Sequence, residues 1–236
     1  MRYFLFIFLI YCAQYTNAQS LSGQELLDKA IQYHDPNSNW ESFAAEIQVT
    51  MSMENKADRI SDIKINLPEE SFEIKSSKDG INILRSIQQD SCYHSLNGDG
   101  NYTEEDAEKH NLNCKRTALL RNYYSYLYGL PMKLKDPGTI IDPVVQKRKF
   151  KGKSYLVLKV NYEQEVGKDS WYFYFDPESY AMEVYQFFKI EANNDGEYIL
   201  LSGEESISGI KMPKTRAWYY NKEDKYLGTD VLSAPN

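Results

Sequence analysis

Residues 43–53 read FAAEIQVTMSM, and the period of that stretch decides the fold class. Phe43, Ala45, Ile47, Val49, Met51 and Met53 alternate with Ala44, Glu46, Gln48, Thr50 and Ser52. A strand turns successive side chains to opposite faces, so this is a long strand with one apolar face. Working outward, Ile63, Ile65 and Leu67 alternate with Asp62, Lys64 and Asn66, and shorter runs occupy 72–75 and 81–87. Downstream the pattern resumes over 144–150, 155–162, 170–175, 182–189, 198–202, 210–212 and 216–220. Lys151-Gly152-Lys153, Asp176-Pro177-Glu178, Asn194-Asp195-Gly196 and Ser208-Gly209 supply turn chemistry between the runs. Strands that follow one another without intervening helices pair antiparallel.

Two segments break the period of two. Ser22-Gly23-Gln24-Glu25 has capping-box form, and Leu26, Leu27, Ala30, Ile31 and Tyr33 then recur at helical spacing. Asp35-Pro36 ends that helix near His34, because the residue before a proline avoids the helical region. The second break surrounds 121–139, RNYYSYLYGLPMKLKDPGT. From Thr117 to Tyr128, the residues Leu119, Leu120, Tyr123, Tyr126 and Leu127 are placed on one helical face, opposite Thr117, Arg121 and Ser125. Gly129 is expected to close the helix in the left-handed conformation, Pro131 to prevent its continuation, and Pro137-Gly138 to form a type II turn. The expected fold is mainly β with α. It is a large curved antiparallel sheet, a half-open β-barrel, covered by an N-terminal helix and a central helical lid.

Arg2 precedes an apolar run from Tyr3 to Ala13, and Thr16-Asn17-Ala18 presents small residues to a signal peptidase. The run is shorter than the roughly 20 residues of a membrane span, so residues 1–18 read as a secretory signal and 19–236 as a single β-rich domain. A lipid anchor at Cys12 is disfavoured by the bulky Tyr11 before it. The formal net charge of −7 argues against nucleic acid as a partner. Export leaves Cys92 and Cys114 as a pair in an oxidising compartment, and they are expected to form a disulfide.

Catalytic and metal motifs are sparse. His34, His94 and His110 are widely spaced, and no nucleophile elbow, phosphate loop or dinucleotide fingerprint appears. His34 beside Asp35 reads as a helix-end capping pair. Neither a catalytic residue, a metal ligand nor a cofactor is assigned. Asn97, Asp99, Asn101, Thr103, Glu105 and Glu108 have the spacing of a calcium loop, but Tyr102 stands where such a loop turns on glycine. The competing account is a turn followed by a helix capped by Thr103. Lys147, Arg148 and Lys149 form a basic cluster near a hairpin tip, a candidate for docking to an anionic membrane surface.

The order of signal, helix, long alternating strand, mid-chain helix and strand hairpins resembles the periplasmic lipoprotein-carrier (LolA-like) superfamily. Closer still, RNYYSYLYGLPMKLKDPGT, the WYFYFDP run at 171–177, and the tail from Gly209 to Asp230 resemble a family of uncharacterised secreted bacterial proteins placed near it. The resemblance implies a half-open barrel whose apolar interior holds lipid acyl chains, in a protein exported to the periplasm or outer membrane of a Gram-negative bacterium. On that basis a lipophilic ligand is expected between the sheet and the central helix. Phe43, Ile47, Val49, Met51, Ile63, Ile65, Trp171 and Phe173 would form the sheet side, and Leu119, Tyr123 and Leu127 the cover. A hydrolase assembled only in the fold and an interaction module with a filled core remain as alternatives.

Overall fold

The alternating runs assemble into one antiparallel sheet, in the computed structural model, which describes residues 21–89 and 91–234. The signal-peptide reading falls outside the described residues. The strands are β1 Ala44–Ser52, β2 Arg59–Asn66, β3 Ser71–Lys78, β4 Ile81–Gln88, β5 Ser91–Leu96, β6 Thr139–Ile141, β7 Gln146–Phe150, β8 Lys153–Tyr162, β9 Ser170–Phe175, β10 Met182–Phe188, β11 Glu197–Ile207, β12 Ile210–Tyr220 and β13 Tyr226–Ser233. Their spatial order is β5-β4-β3-β2-β1-β13-β12-β11-β10-β9-β8-β6, with β7 also on β8. Most neighbours are consecutive hairpins. The long-range closure is β1 on β13, where Met51 stands opposite Asp230 and Val49 opposite Leu232. The outer strands β5 and β6 do not meet, so the sheet curves into a half-open barrel.

Period two explains which side chains are inside. Ile47, Val49, Ile63, Ile65, Phe72, Phe173 and Phe175 share one core with Leu26 and Leu27 of the helix α1, Gly23–His34. Tyr172 and Tyr174, the alternate residues of β9, instead pack with Tyr155, Val157, Val184 and Phe188 in a second cluster on the opposite face. Two sequence runs fuse into one strand, because Pro213 sits inside β12 opposite Glu204 without ending it. The terminal strand β13 carries Gly228 and Asp230 within its length and was not legible as an alternating run.

The capping box of α1 forms as expected. The Ser22 hydroxyl accepts from the Glu25 N–H, and the Ser22 N–H donates to the Glu25 carboxylate at 2.8 Å. Glu104–His110 form a short helix, α2, capped by Thr103, whose Oγ1 accepts from the Asp106 N–H at 3.1 Å. In the same loop Asn97 Oδ1 is taken by the Asn82 N–H and Asp99 Oδ1 by the Asn101 N–H. The turn-and-capped-helix account therefore describes this loop.

The central helix α3 runs Cys114–Gly129, and its buried face is not the expected one. Thr117, Tyr124, Leu127 and Tyr128 point inward, whereas Leu119 is 53% exposed and Tyr123 44% exposed. Leu and Tyr occur all round this helix, so its own pattern does not fix its rotation. Tertiary bonds do: Thr117 Oγ1 meets His94 Nε2 at 2.9 Å, and the Tyr124 hydroxyl accepts from Arg59 at 3.3 Å. Gly129 also differs from expectation. It is the last helical residue and does not adopt positive φ; glycine is required because a Cβ there would lie 2.2 Å from Trp40 Cζ2. Gly138 does take the left-handed region, φ +81°, as the turn at Pro137-Gly138 demands.

Cys92 in β5 and Cys114 at the start of α3 are joined by a disulfide, with Cα atoms 5.7 Å apart. The sequence separation of 22 predicts, on the chain-entropy model, a contribution of roughly 3 kcal/mol. Cys92→Ala with Cys114→Ala should therefore lower the free energy of unfolding in urea by about that amount. A midpoint unchanged by the double substitution would show that the bridge constrains little.

Candidate ligand cavity

The sheet and α3 do not close completely on one another. At one end of α3 they leave an open cavity of about 470 Å³, within the range of small-molecule sites. Its floor comes from Met51 of β1, Trp171 of β9, Phe187 of β10, Trp218 of β12 and Leu227 of β13, and its cover from Tyr123, Tyr126 and Leu127. Register explains the convergence, because residues directly opposite in an antiparallel pair face the same side. Phe187 is opposite Trp171, and Glu197 is opposite Phe187. A neighbouring row runs Arg59, Met51, Asp230, Arg216 and Leu201 across five strands.

Four expected site residues meet at this cavity: Met51, Tyr123, Leu127 and Trp171. Phe43, Ile47, Val49, Ile63, Ile65 and Phe173 do not line it. Each is at most 2% exposed and packed in the core shared with Leu26 and Leu27, and Ile65 also borders a separate cavity beside Leu67 and Tyr126. Leu119 is turned to solvent by the rotation of α3. Phe187, Trp218, Glu197 and Asp230 were missed, although Phe187 and Trp218 sit at inward alternate positions of strands read from the sequence.

The aromatic wall is ordered by ring contacts. Trp171 stacks on Phe187 at 4.9 Å between centroids, and the Tyr126 ring stands edge-on to Trp171 at 5.9 Å. The Tyr126 hydroxyl is bonded to that of Tyr162, fixing the far side of the cover. Asp230 accepts a bond from the Trp218 indole N–H at 3.1 Å. Burial raises the Asp230 carboxyl above its usual range despite that bond and the positive charges of Arg216 and Arg59. Burial raises Glu197 as well, with Lys189 acting weakly in the other direction.

Arg216 lies beside this wall, but its guanidinium faces α3. It donates to the carbonyls of Pro213 at 2.8 Å and Leu127 at 3.3 Å, and its Cζ lies 4.0 Å from the Tyr128 ring centroid. With the disulfide at one end and Arg216 at the other, α3 is tied down at both ends. It is a cover anchored across the sheet.

His34 and His94 are committed elsewhere. The buried His34 ring donates from Nδ1 to the Lys211 carbonyl at 2.7 Å and accepts at Nε2 from the Met182 N–H at 2.9 Å. Asp35 accepts from the N–H groups of Asn39 and Trp40, so the pair ends α1 and pins it to β10 and β12. Among the described residues no group of three His, Cys, Asp or Glu is arranged to hold a metal ion. The basic cluster is divided by the pleat of β7. Lys147 and Lys149 are exposed, while Arg148 lies over the Tyr172 ring at 4.2 Å and donates to Gln146.

A family model described as a family of unknown function, DUF6503, matches residues 3–233. The chain belongs to that family. No curated protein matches this DUF6503 sequence significantly. Among solved structures it is similar to a LolA superfamily protein, NE2245, from Nitrosomonas europaea, with 9% identity, TM-score 0.51, and 92% and 95% of the two chains covered. It is also similar to a candidate outer membrane lipoprotein-sorting protein domain from Vibrio parahaemolyticus, with 12% identity, TM-score 0.47, and 91% and 90% covered. A DUF1329 family protein from Desulfovibrio piger has 10% identity, TM-score 0.49, and 89% and 91% coverage. The likeness to NE2245 gives the DUF6503 chain a LolA-like fold, as the sequence resemblance implied.

Proposed function

We propose that this DUF6503 protein is an exported, periplasmic binding protein that holds a lipophilic molecule between α3 and the concave face of its sheet. The observation that carries the reading is the aromatic cavity of about 470 Å³ walled by Met51, Trp171, Phe187, Trp218 and Leu227 under Tyr123 and Leu127. A largely apolar concavity with few polar groups suits a ligand transferred out of water. The LolA-like fold supports the same reading, since carriers of that superfamily enclose acyl chains. Binding is preferred to catalysis because His34 is fully used in holding α1, and His94 is bonded to Thr117 away from the cavity carboxylates. The filled core around Ile47, Ile63 and Phe173 supports a ligand held at one end of the barrel. An anionic membrane surface would meet Lys147 and Lys149, because Arg148 is engaged on the other face of β7.

Two tryptophans in the wall provide the readout. N-phenyl-1-naphthylamine, a neutral lipophilic fluorophore, should bind saturably and take energy from Trp171 and Trp218. A ligand of that size in such a site implies a Kd on the order of 100 µM or tighter. Leu227→Trp fills the cavity from β13 and should weaken that binding by about ten-fold, a change of roughly 1.4 kcal/mol. Non-saturable binding, or saturable binding indifferent to Leu227→Trp, would remove the cavity as the site.

A further inference from the structure

We infer that the cavity selects by charge, taking an apolar chain that ends in a cationic nitrogen, a quaternary or protonated amine, in preference to one ending in a carboxylate or sulfate. This rests on the binding reading above and adds the class of head group. The charged side chains lining the cavity are Asp169, Glu197 and Asp230, with no Lys, Arg or His among the lining residues. None of these three carboxylates takes part in an ion pair among the described residues. Asp230 is only 9% exposed, and the Trp218 bond occupies its Oδ2. Its other oxygen has no hydrogen-bond partner among the described residues.

The positive groups nearby lie outside the cavity lining, and Lys189 acts only weakly on Glu197. Arg216 serves the Pro213 and Leu127 carbonyls, and Arg59 donates to the Tyr124 hydroxyl. Arg216 stands directly across the strand pair from Asp230, yet the two make no ion pair. A ligand cation entering here would face negative charge and aromatic rings together. Trp171, Phe187 and Trp218 line the cavity with aromatic rings, whose π-systems attract a quaternary or primary ammonium in a partly desolvated site. An anionic head group would instead lose its water beside three carboxylates, with no cation among the lining residues to meet it, since Arg216 and Arg59 act on Asp230 from outside the lining. Burial raises Asp230 and Glu197, and an ammonium beside them would favour their charged forms.

Chain and head group are separated by amphiphiles that share one tail. Dodecyltrimethylammonium, dodecyl sulfate and dodecyl maltoside, each below its micelle concentration, would be titrated into the full mature chain and followed by tryptophan fluorescence and calorimetry. The expected order is cation first, then the neutral maltoside, then sulfate, with at least about ten-fold between cation and sulfate. Glu197→Gln and, separately, Asp230→Asn should each narrow the cation-to-sulfate ratio. That ratio is taken within one variant, so a general loss of fold does not imitate the effect. Equal affinities, or a preference for sulfate, would overturn the charge selection and leave the cavity reading intact; failure of all three to saturate would overturn the cavity reading itself. A titration with lysophosphatidylcholine then separates the sources. Saturable binding assigns the cation to a lipid head group, and its absence, with the alkylammonium bound, assigns it to a free amphiphilic amine.

Discussion

Arg216→Met will lower the stability of the folded chain by about 3–5 kcal/mol, because it strips the Pro213 and Leu127 carbonyls of their donor, at about 1–3 kcal/mol each, and leaves space where the guanidinium packed. Arg216 is 1% exposed, among the largest side chains fully enclosed by the fold. It satisfies the Leu127 carbonyl near the C-terminal end of α3 and lies against Tyr128, so its loss frees the helix end and opens space beneath it. The charge matters as much as the volume. Asp230 occupies the opposing position on β13 and is drawn toward its ionised form by Arg216 and Arg59. Once Arg216 is replaced, one of those two charges is gone and Asp230 becomes more costly to keep ionised. Adding Asp230→Asn should therefore recover part of the loss, and a double-mutant cycle in urea would give the coupling. An Arg216→Met chain within about 1 kcal/mol of the parent would mean that Arg216 is dispensable to the covered sheet.

The cooperation of Arg216 with Asp230 marks the limit of what the chain discloses in one dimension. Period two in 43–53 and 170–175 is a local property, so the inward set Ile47, Val49, Phe173 and Phe175 was legible before any partner strand was known. The capping box at Ser22 and the turn at Gly138 were legible for the same reason: their partners lie within a few residues. The rotation of α3 was not. Its Leu and Tyr residues are spread round the axis, and His94, Arg59 and Arg216, all distant in sequence, decide which of them turn inward.

The lining of the candidate cavity was legible in part on similar grounds. Met51 and Trp171 follow from local pattern, but the cavity exists where β1 meets β13, a pairing about 180 residues apart that turn chemistry cannot specify. Inward apolar positions were also assumed to be wall, when most of them are filling. Phe43, Ile63 and Phe173 have the same pattern as Trp171 and differ only in what stands opposite. Over the first three the space is taken by α1 and by other core side chains; over Trp171 it stays open. An aromatic strand therefore predicts burial well and a binding surface poorly.

His34→Ala will have an effect comparable to that of Arg216→Met, about 3–5 kcal/mol, and will remove part of the acid sensitivity of the fold. The imidazole joins three elements with two bonds, from Nδ1 to the Lys211 carbonyl in β12 and to Nε2 from the Met182 N–H in β10. Truncation leaves both backbone groups buried without partners, at about 1–3 kcal/mol each, and removes a packed ring besides. The geometry also fixes the protonation state. A nitrogen that accepts from an amide cannot carry a proton, and burial lowers the His34 pKa below its usual value, with the Lys211 carbonyl opposing the shift. In the unfolded chain the same ring titrates near about 6.5. The unfolded state therefore binds the extra proton first on acidification. The contribution of neutral His34 is fully present above about pH 6.5 and is lost as pH falls from there through the lowered folded-state value. His94, also lowered by burial and by Arg85, acts in the same direction, whereas the raised carboxyls of Asp230 and Glu197 act in the opposite one. Urea midpoints at pH 7.5 and pH 5.5 should converge more in the His34→Ala chain than in the parent. If both chains lose the same stability between those pH values, His34 does not hold its neutral form against solvent, and the attachment of α1 to β10 and β12 must rest on Leu26, Leu27 and the Tyr33–Glu204 bond instead.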